Sequence, residues 1–155
     1  MSLFDPSSLV GLALGWGLLF ALSSAVFVAI GFAWEKSRPG RARKIFALPL
    51  AKGQLSRELL ANVGFVVLVA AVFSACVAAG IIRADAGGAG AAILTSGSCL
   101  VGFEVYYYAQ HRALHTRRLI RFHRWHHASK VTTPLSGQSL GLVEALGWVG
   151  GLALC

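Results

Sequence analysis

All five histidines of this 155-residue chain fall within QHRALHTRRLIRFHRWHHASK, residues 110 to 130. Neutral imidazole is the commonest side-chain ligand for metal ions. A helix turns 100° per residue, so His111 and His115, at i and i+4, project from one face a turn apart. His123, His126 and His127, at i, i+3 and i+4, share a helical face in the same way. Two imidazoles so placed can hold one ion, and residues 111 to 127 contain two such groups. A single straight helix over that stretch would hold its ends about 24 Å apart, whereas metal–nitrogen bonds are about 2.0–2.1 Å. Either the segment breaks and folds back around TRRLIRF, or the two groups serve different ions.

The same arithmetic puts Glu104, Tyr108, His111 and His115 within roughly 60° of one another on one helical face. Glu104 would then sit in the membrane end of an apolar helix, where a carboxylate is costly unless paired and is a functional candidate by default. It either binds metal, accepts a hydrogen bond from a ligating histidine's second nitrogen, or pairs with a nearby arginine. The bland alternative for the histidines is a set of interfacial side chains among headgroups. Five at HxxxH and HxxHH spacing, with none elsewhere, favour metal. Arg112, Arg117, Arg118, Arg121 and Arg124 read as headgroup contacts, each worth about 1 kcal/mol near an anionic surface. Within YYY and Trp125, read as interface anchors, Tyr108 is the exception singled out for a role in chemistry.

The elements that must position these side chains are membrane spans. The chain is 56% hydrophobic and 13% charged, with a mean hydropathy of +0.68, against about a quarter charged in soluble domains. The net charge of +8 would suit nucleic acid in a soluble protein. Here the basic residues lie in two blocks, Lys36 to Arg57 and Arg112 to Lys130, each flanking apolar runs, so membrane topology accounts for them and nucleic acid is not expected.

An uncharged run over 9–34 is long enough to cross roughly 30 Å of hydrocarbon. It lacks the basic start and short apolar core of a cleaved signal and is read as an uncleaved anchor. A basic loop over 35–58 follows, with a short surface helix and a helix start expected at Ser56, whose hydroxyl can cap a first turn. A second span is expected over 59–82, a polar turn at RADAGG, and a third span over 90–110, whose small residues favour close packing. The histidine segment occupies 111–130 and a partial fourth helix 139–155. Cys76, Cys99 and Cys155 stand alone in apolar runs and are read as small buried side chains. The positive-inside rule places the N-terminus outside and the histidines on the cytoplasmic face. The expected fold is all-α: one integral membrane helical bundle with about three transmembrane helices, a partial fourth and a cytoplasmic histidine-rich helical segment.

EVYYYAQHRALH followed by RFHRWHHAS resembles the fatty acid hydroxylase / sterol desaturase superfamily of membrane histidine-box proteins. The likeness is close over residues 104–129 and looser at KGQLSRELLANV. It implies a dinuclear non-haem iron centre, with zinc as a possible substitute, that uses O2 and an external electron donor to hydroxylate or desaturate a lipid C–H bond. His111, His115, His123, His126 and His127 fall on the family's ligand positions. Glu104, where the family more usually has Asp, and Tyr108 fall on its acidic and tyrosine positions. The family pattern also has a further histidine box beyond another membrane segment, which residues 1–155 do not contain. The sequence is therefore expected to be C-terminally truncated. The alternative is a non-catalytic membrane protein holding a single zinc or iron ion through three or four of the five histidines, a coordination that needs no further box.

Overall fold

A computed structural model describes residues 8–44, 48–82 and 88–153. Among these residues all regular secondary structure is helical, with no strand. Helix α1, Leu9–Lys36, starts where the Ser8 side chain accepts from the Gly11 amide at 2.9 Å. It ends at Ser37, whose backbone is extended. The Ser37 hydroxyl donates to the Trp34 carbonyl at 2.7 Å and accepts from the Gly40 amide at 3.1 Å. One serine therefore closes α1 and opens the short α2, Arg38–Ala42, with Pro39 in its first turn, where a missing amide hydrogen costs nothing.

Helix α3, Gln54–Ala78, starts two residues before the expected Ser56. Gly53 precedes it at φ 74°, a left-handed conformation that glycine adopts without steric cost. The turn closes through the Gln54 amide donating to the Ala51 carbonyl at 3.0 Å. Helix α4 covers Gly88–Leu114, α5 Ile120–His123 and α6 Leu142–Ala153, with single 3-10 turns at His126–Ala128 and Ser136–Gln138. Helices α1, α3 and α4 are long and apolar enough to cross a membrane, and this is an integral membrane protein. Helix α6, at 12 residues, is shorter. RADAGG up to residue 87 and Cys155 lie outside the described residues. Cys76 and Cys99 are half-buried rather than buried, because α3 and α4 turn much of their surface outward.

In hydrocarbon, helices gain little from hiding apolar surface from one another, and association rests on close packing and polar contacts. Helix α3 is the hub. Phe65 and Val69 pack with Leu140 and with Ala145 and Val149 of α6, and Trp148 closes the group edge-on to Phe65, ring centres 4.9 Å apart. Trp16, Phe20 and Phe73 join α1 to α3. Helix α6 reaches α4 through Trp148 against Phe103, 4.8 Å between ring centres, and through the Tyr106 hydroxyl, which donates to the Gly147 carbonyl at 2.8 Å. Gly147 and Gly151 make this approach possible, since a Cβ on either would collide with Gln110 or with the Tyr106 ring.

Candidate metal centre

Helix α4 carries His111 in its last turn and stops at Leu114. The Thr116 hydroxyl donates back to the Ala113 carbonyl at 2.7 Å, and the Leu119 and Ile120 amides donate to the Thr116 carbonyl at 3.0 and 2.9 Å. The chain thereby doubles back within HTRRL and delivers α5, whose last residue is His123. The expected break exists, but HxxHH does not ride on one α-helical face. Helix α5 ends at His123, residues 124–125 form a turn, and His126 and His127 sit on a tighter 3-10 turn.

The five imidazoles form one cluster. Ring centres lie 4.9 Å apart for His111 and His115, 4.7 Å for His111 and His123, and 4.8 Å for His115 and His123. His127 is 4.9 Å from His115 and 4.5 Å from His123, and His126 is 5.2 Å from His123. The Nε2 atoms of His111 and His115 are 3.2 Å apart, and those of His115 and His127 3.4 Å. His111, His115 and His123 each offer a ligand atom within 4.8 Å of the others, a group that could hold a metal ion.

His123 is the innermost, with 0% of its surface exposed. Burial holds it well below the ordinary histidine range, at about 4, and the nearby His127 and His115 add to that effect. Burial lowers His126 too, against the opposing pull of Glu144. Both rings are therefore neutral near pH 7, the state that ligates metal. Glu144, 2% exposed, brings Oε1 to 2.8 Å from His123 Nδ1. Buried and without a hydrogen bond in the same cluster are His111 Nδ1, His123 Nε2 and His126 Nδ1. Buried polar atoms are paired in the great majority of cases. These atoms converge in one place as a donor set that fits a cation, and neutral imidazoles with a carboxylate suit iron or zinc.

Glu104 and Tyr108 do not join the cluster. Glu104 is exposed on α4, and Tyr108 is 64% exposed with its hydroxyl accepting from Arg112 at 3.2 Å. The packed face of α4 is set by Phe103, Tyr106, Tyr107 and Gln110, which meet α6 or the histidines. Glu104 and Tyr108 lie more than about 100° around the helix from the centre of that face. The tyrosine beside the cluster is Tyr107, 5.6 Å from His111 between ring centres. Sequence reasoning missed Tyr107 and Glu144. The signal for Glu144 was present, as the only ionisable residue of an apolar helix.

Residues 97–155 match the family model for fatty acid hydroxylase. The match runs from the middle of α4 through the histidine cluster and α6, the part of the chain that builds the candidate centre, and supports the fatty acid hydroxylase / sterol desaturase superfamily. No curated protein and no solved structure matches the chain.

Proposed function

We propose that this chain carries the metal centre of a membrane-bound oxygenase of the fatty acid hydroxylase type, acting on a fatty-acyl or sterol-like lipid. The observation that carries this reading is the convergence of five imidazoles and the buried Glu144 carboxylate within a segment that matches the fatty acid hydroxylase family. His111, His115, His123, His126 and His127 would hold the metal, proposed to be a pair of iron ions. When bound, iron would supply the activation of O2 for hydroxylation or desaturation of a lipid C–H bond, with electrons from an external donor. In this reading Glu144 takes the place expected for Glu104, and Tyr107 the place expected for Tyr108.

The protein's own contribution is positioning. The turn at Thr116 brings α5 back under α4, so rings 12 residues apart in sequence, His111 and His123, face one another. Burial keeps His123 and His126 neutral, so no proton has to leave them before they ligate. The Glu144 carboxylate beside His123 Nδ1 favours the tautomer that leaves Nε2 for metal. The Gln110 side chain donates to the Glu144 carbonyl at 3.2 Å and ties the start of α6 to α4. The N-terminus is proposed to lie outside and the cluster on the cytoplasmic face, as the two basic blocks require.

A second reading rests on the His111–His115–His123 group, which on its own suits one tetrahedral ion with a fourth ligand from His127. That arrangement is a non-catalytic zinc or iron site. Purification under iron-replete conditions followed by metal analysis separates the two. About two irons per chain, with reductant- and lipid-dependent O2 uptake, supports the oxygenase. One metal per chain without O2 uptake selects the binding protein.

A further inference from the structure

The segment that follows the last histidine pair is held by a fully buried carboxylate to which sequence reasoning gave no role. Glu58 is 0% exposed. Its Oε1 accepts from Gln54 Nε2 at 2.9 Å and from Ser136 Oγ at 2.9 Å, and its Oε2 accepts from Thr133 Oγ1 at 2.6 Å. Gln54 Nε2 also donates to the Val131 carbonyl at 2.6 Å. One position back, Arg57 donates to Ser129 Oγ at 3.4 Å. One turn further on, Asn62 donates to Ser24 Oγ at 3.1 Å and to the Gln138 side chain. Gln54, Glu58 and Asn62 are spaced four apart and are all buried, so they form one polar ridge on the inward face of α3. The ridge meets the strip from 131 to 138, which starts four residues after His127.

The hydroxyls facing Glu58 have their directions fixed. Ser136 Oγ accepts from the Thr133 amide at 2.8 Å, and Thr133 Oγ1 accepts from the Leu135 amide at 3.1 Å. Each therefore turns its one hydroxyl proton toward Glu58, and Gln54 adds an N–H donor. Three donors converge on two oxygens, which only an ionised carboxylate can satisfy, because a carboxamide presents an NH2 on one side. Burial makes any mismatch there costly.

From this geometry, and resting on the metal-site reading above, we propose that Glu58 is the positioning residue for the second histidine group. By fixing the strip 131–136 on α3 it sets where the turn bearing His126 and His127 stands against His111, His115 and His123. Glu58 touches no histidine and acts through Thr133, Ser136, Gln54 and Ser129.

The test uses the full chain in detergent with Co2+ as the probe, reading affinity by competition and ligand geometry by the visible absorption of the bound ion. Hydrogen exchange of the 131–136 amides in the metal-free protein is measured alongside. Glu58→Gln is expected to keep wild-type helix content, to speed exchange in 131–136, to weaken Co2+ binding about tenfold, the scale for loss of an outer support, and to alter the spectrum. The pair Thr133→Val with Ser136→Ala removes the donors instead of the acceptor and should give the same loss. It carries the test if Glu58→Gln fails to fold. Wild-type Co2+ affinity and spectrum in these variants, even with faster exchange, overturn the positioning role while leaving the metal site standing. Failure of the wild-type chain to bind Co2+ overturns the metal reading, and this inference with it.

Discussion

Acidification of the metal-free protein probes the interior of the cluster directly. His123 is fully buried, and burial holds its pKa at about 4, against an ordinary histidine value of about 6.5. A folded-state value below the unfolded one means that the unfolded chain takes up a proton first as pH falls. The contribution of neutral His123 is thus complete above pH 6.5 and is lost progressively until pH reaches about 4. At about 1.36 kcal/mol per pKa unit the full loss is about 3 kcal/mol, of which about 2 kcal/mol is gone by pH 5. The perturbation is His123→Gln, which removes the titrating group and keeps a polar side chain beside Glu144. Denaturant unfolding in detergent, followed by helix signal from pH 7.5 to pH 4.5, reads the slope. Wild type should lose about 2 kcal/mol more than the variant between pH 7 and pH 5. Parallel curves for the two proteins would refute the claim that burial keeps this ring neutral.

Other outcomes follow from the same structure. The double variant His111→Ala with His126→Ala should lose bound metal, measured as metal per chain, while helix content holds. Glu104→Gln and Tyr108→Phe, being outside the cluster, should retain wild-type metal content, whereas Glu144→Gln should lower metal affinity by about 10- to 100-fold. Gly151→Val should drive the Tyr106 ring off α6 and lower unfolding stability by about 1–3 kcal/mol, while Gly64→Ala, with open space around its α-carbon, should lose no stability. On the orientation proposed from the basic blocks, a cysteine placed at Lys130 in a cysteine-free chain should react with an impermeant thiol reagent only from the cytoplasmic side.

The three long apolar helices were legible because about 20 or more uncharged residues have few other uses. The reversal after His115 was one of two outcomes that distance allowed, since a straight helix cannot bring His111 and His127 together and separate ions were the alternative. The inward face of α4 was not. The 100° arithmetic groups Glu104 and Tyr108 with the histidines, but it cannot say which stripe a partner helix will claim, and α6 claims the one containing Phe103, Tyr106 and Gln110. Glu144 was passed over because its helix is short, although the expectation applied to Glu104 holds equally for it. The start of α3 depended on Gly53, whose left-handed conformation is a property of the backbone turn and not of any capping side chain. Glu58 lay hidden in a basic stretch read as loop, and its partners Thr133 and Ser136 are more than 70 residues away in sequence.

Metal analysis of the full chain purified from iron-replete cells, combined with X-ray absorption at the iron edge, tests the central claim most directly. Bound iron in an imidazole-rich environment, with metal–nitrogen distances near the ~2.1 Å typical of histidine ligation and lost in the His111→Ala, His126→Ala protein, is the predicted result. A chain that retains no metal, or one whose bound metal survives that double substitution unchanged, would contradict it.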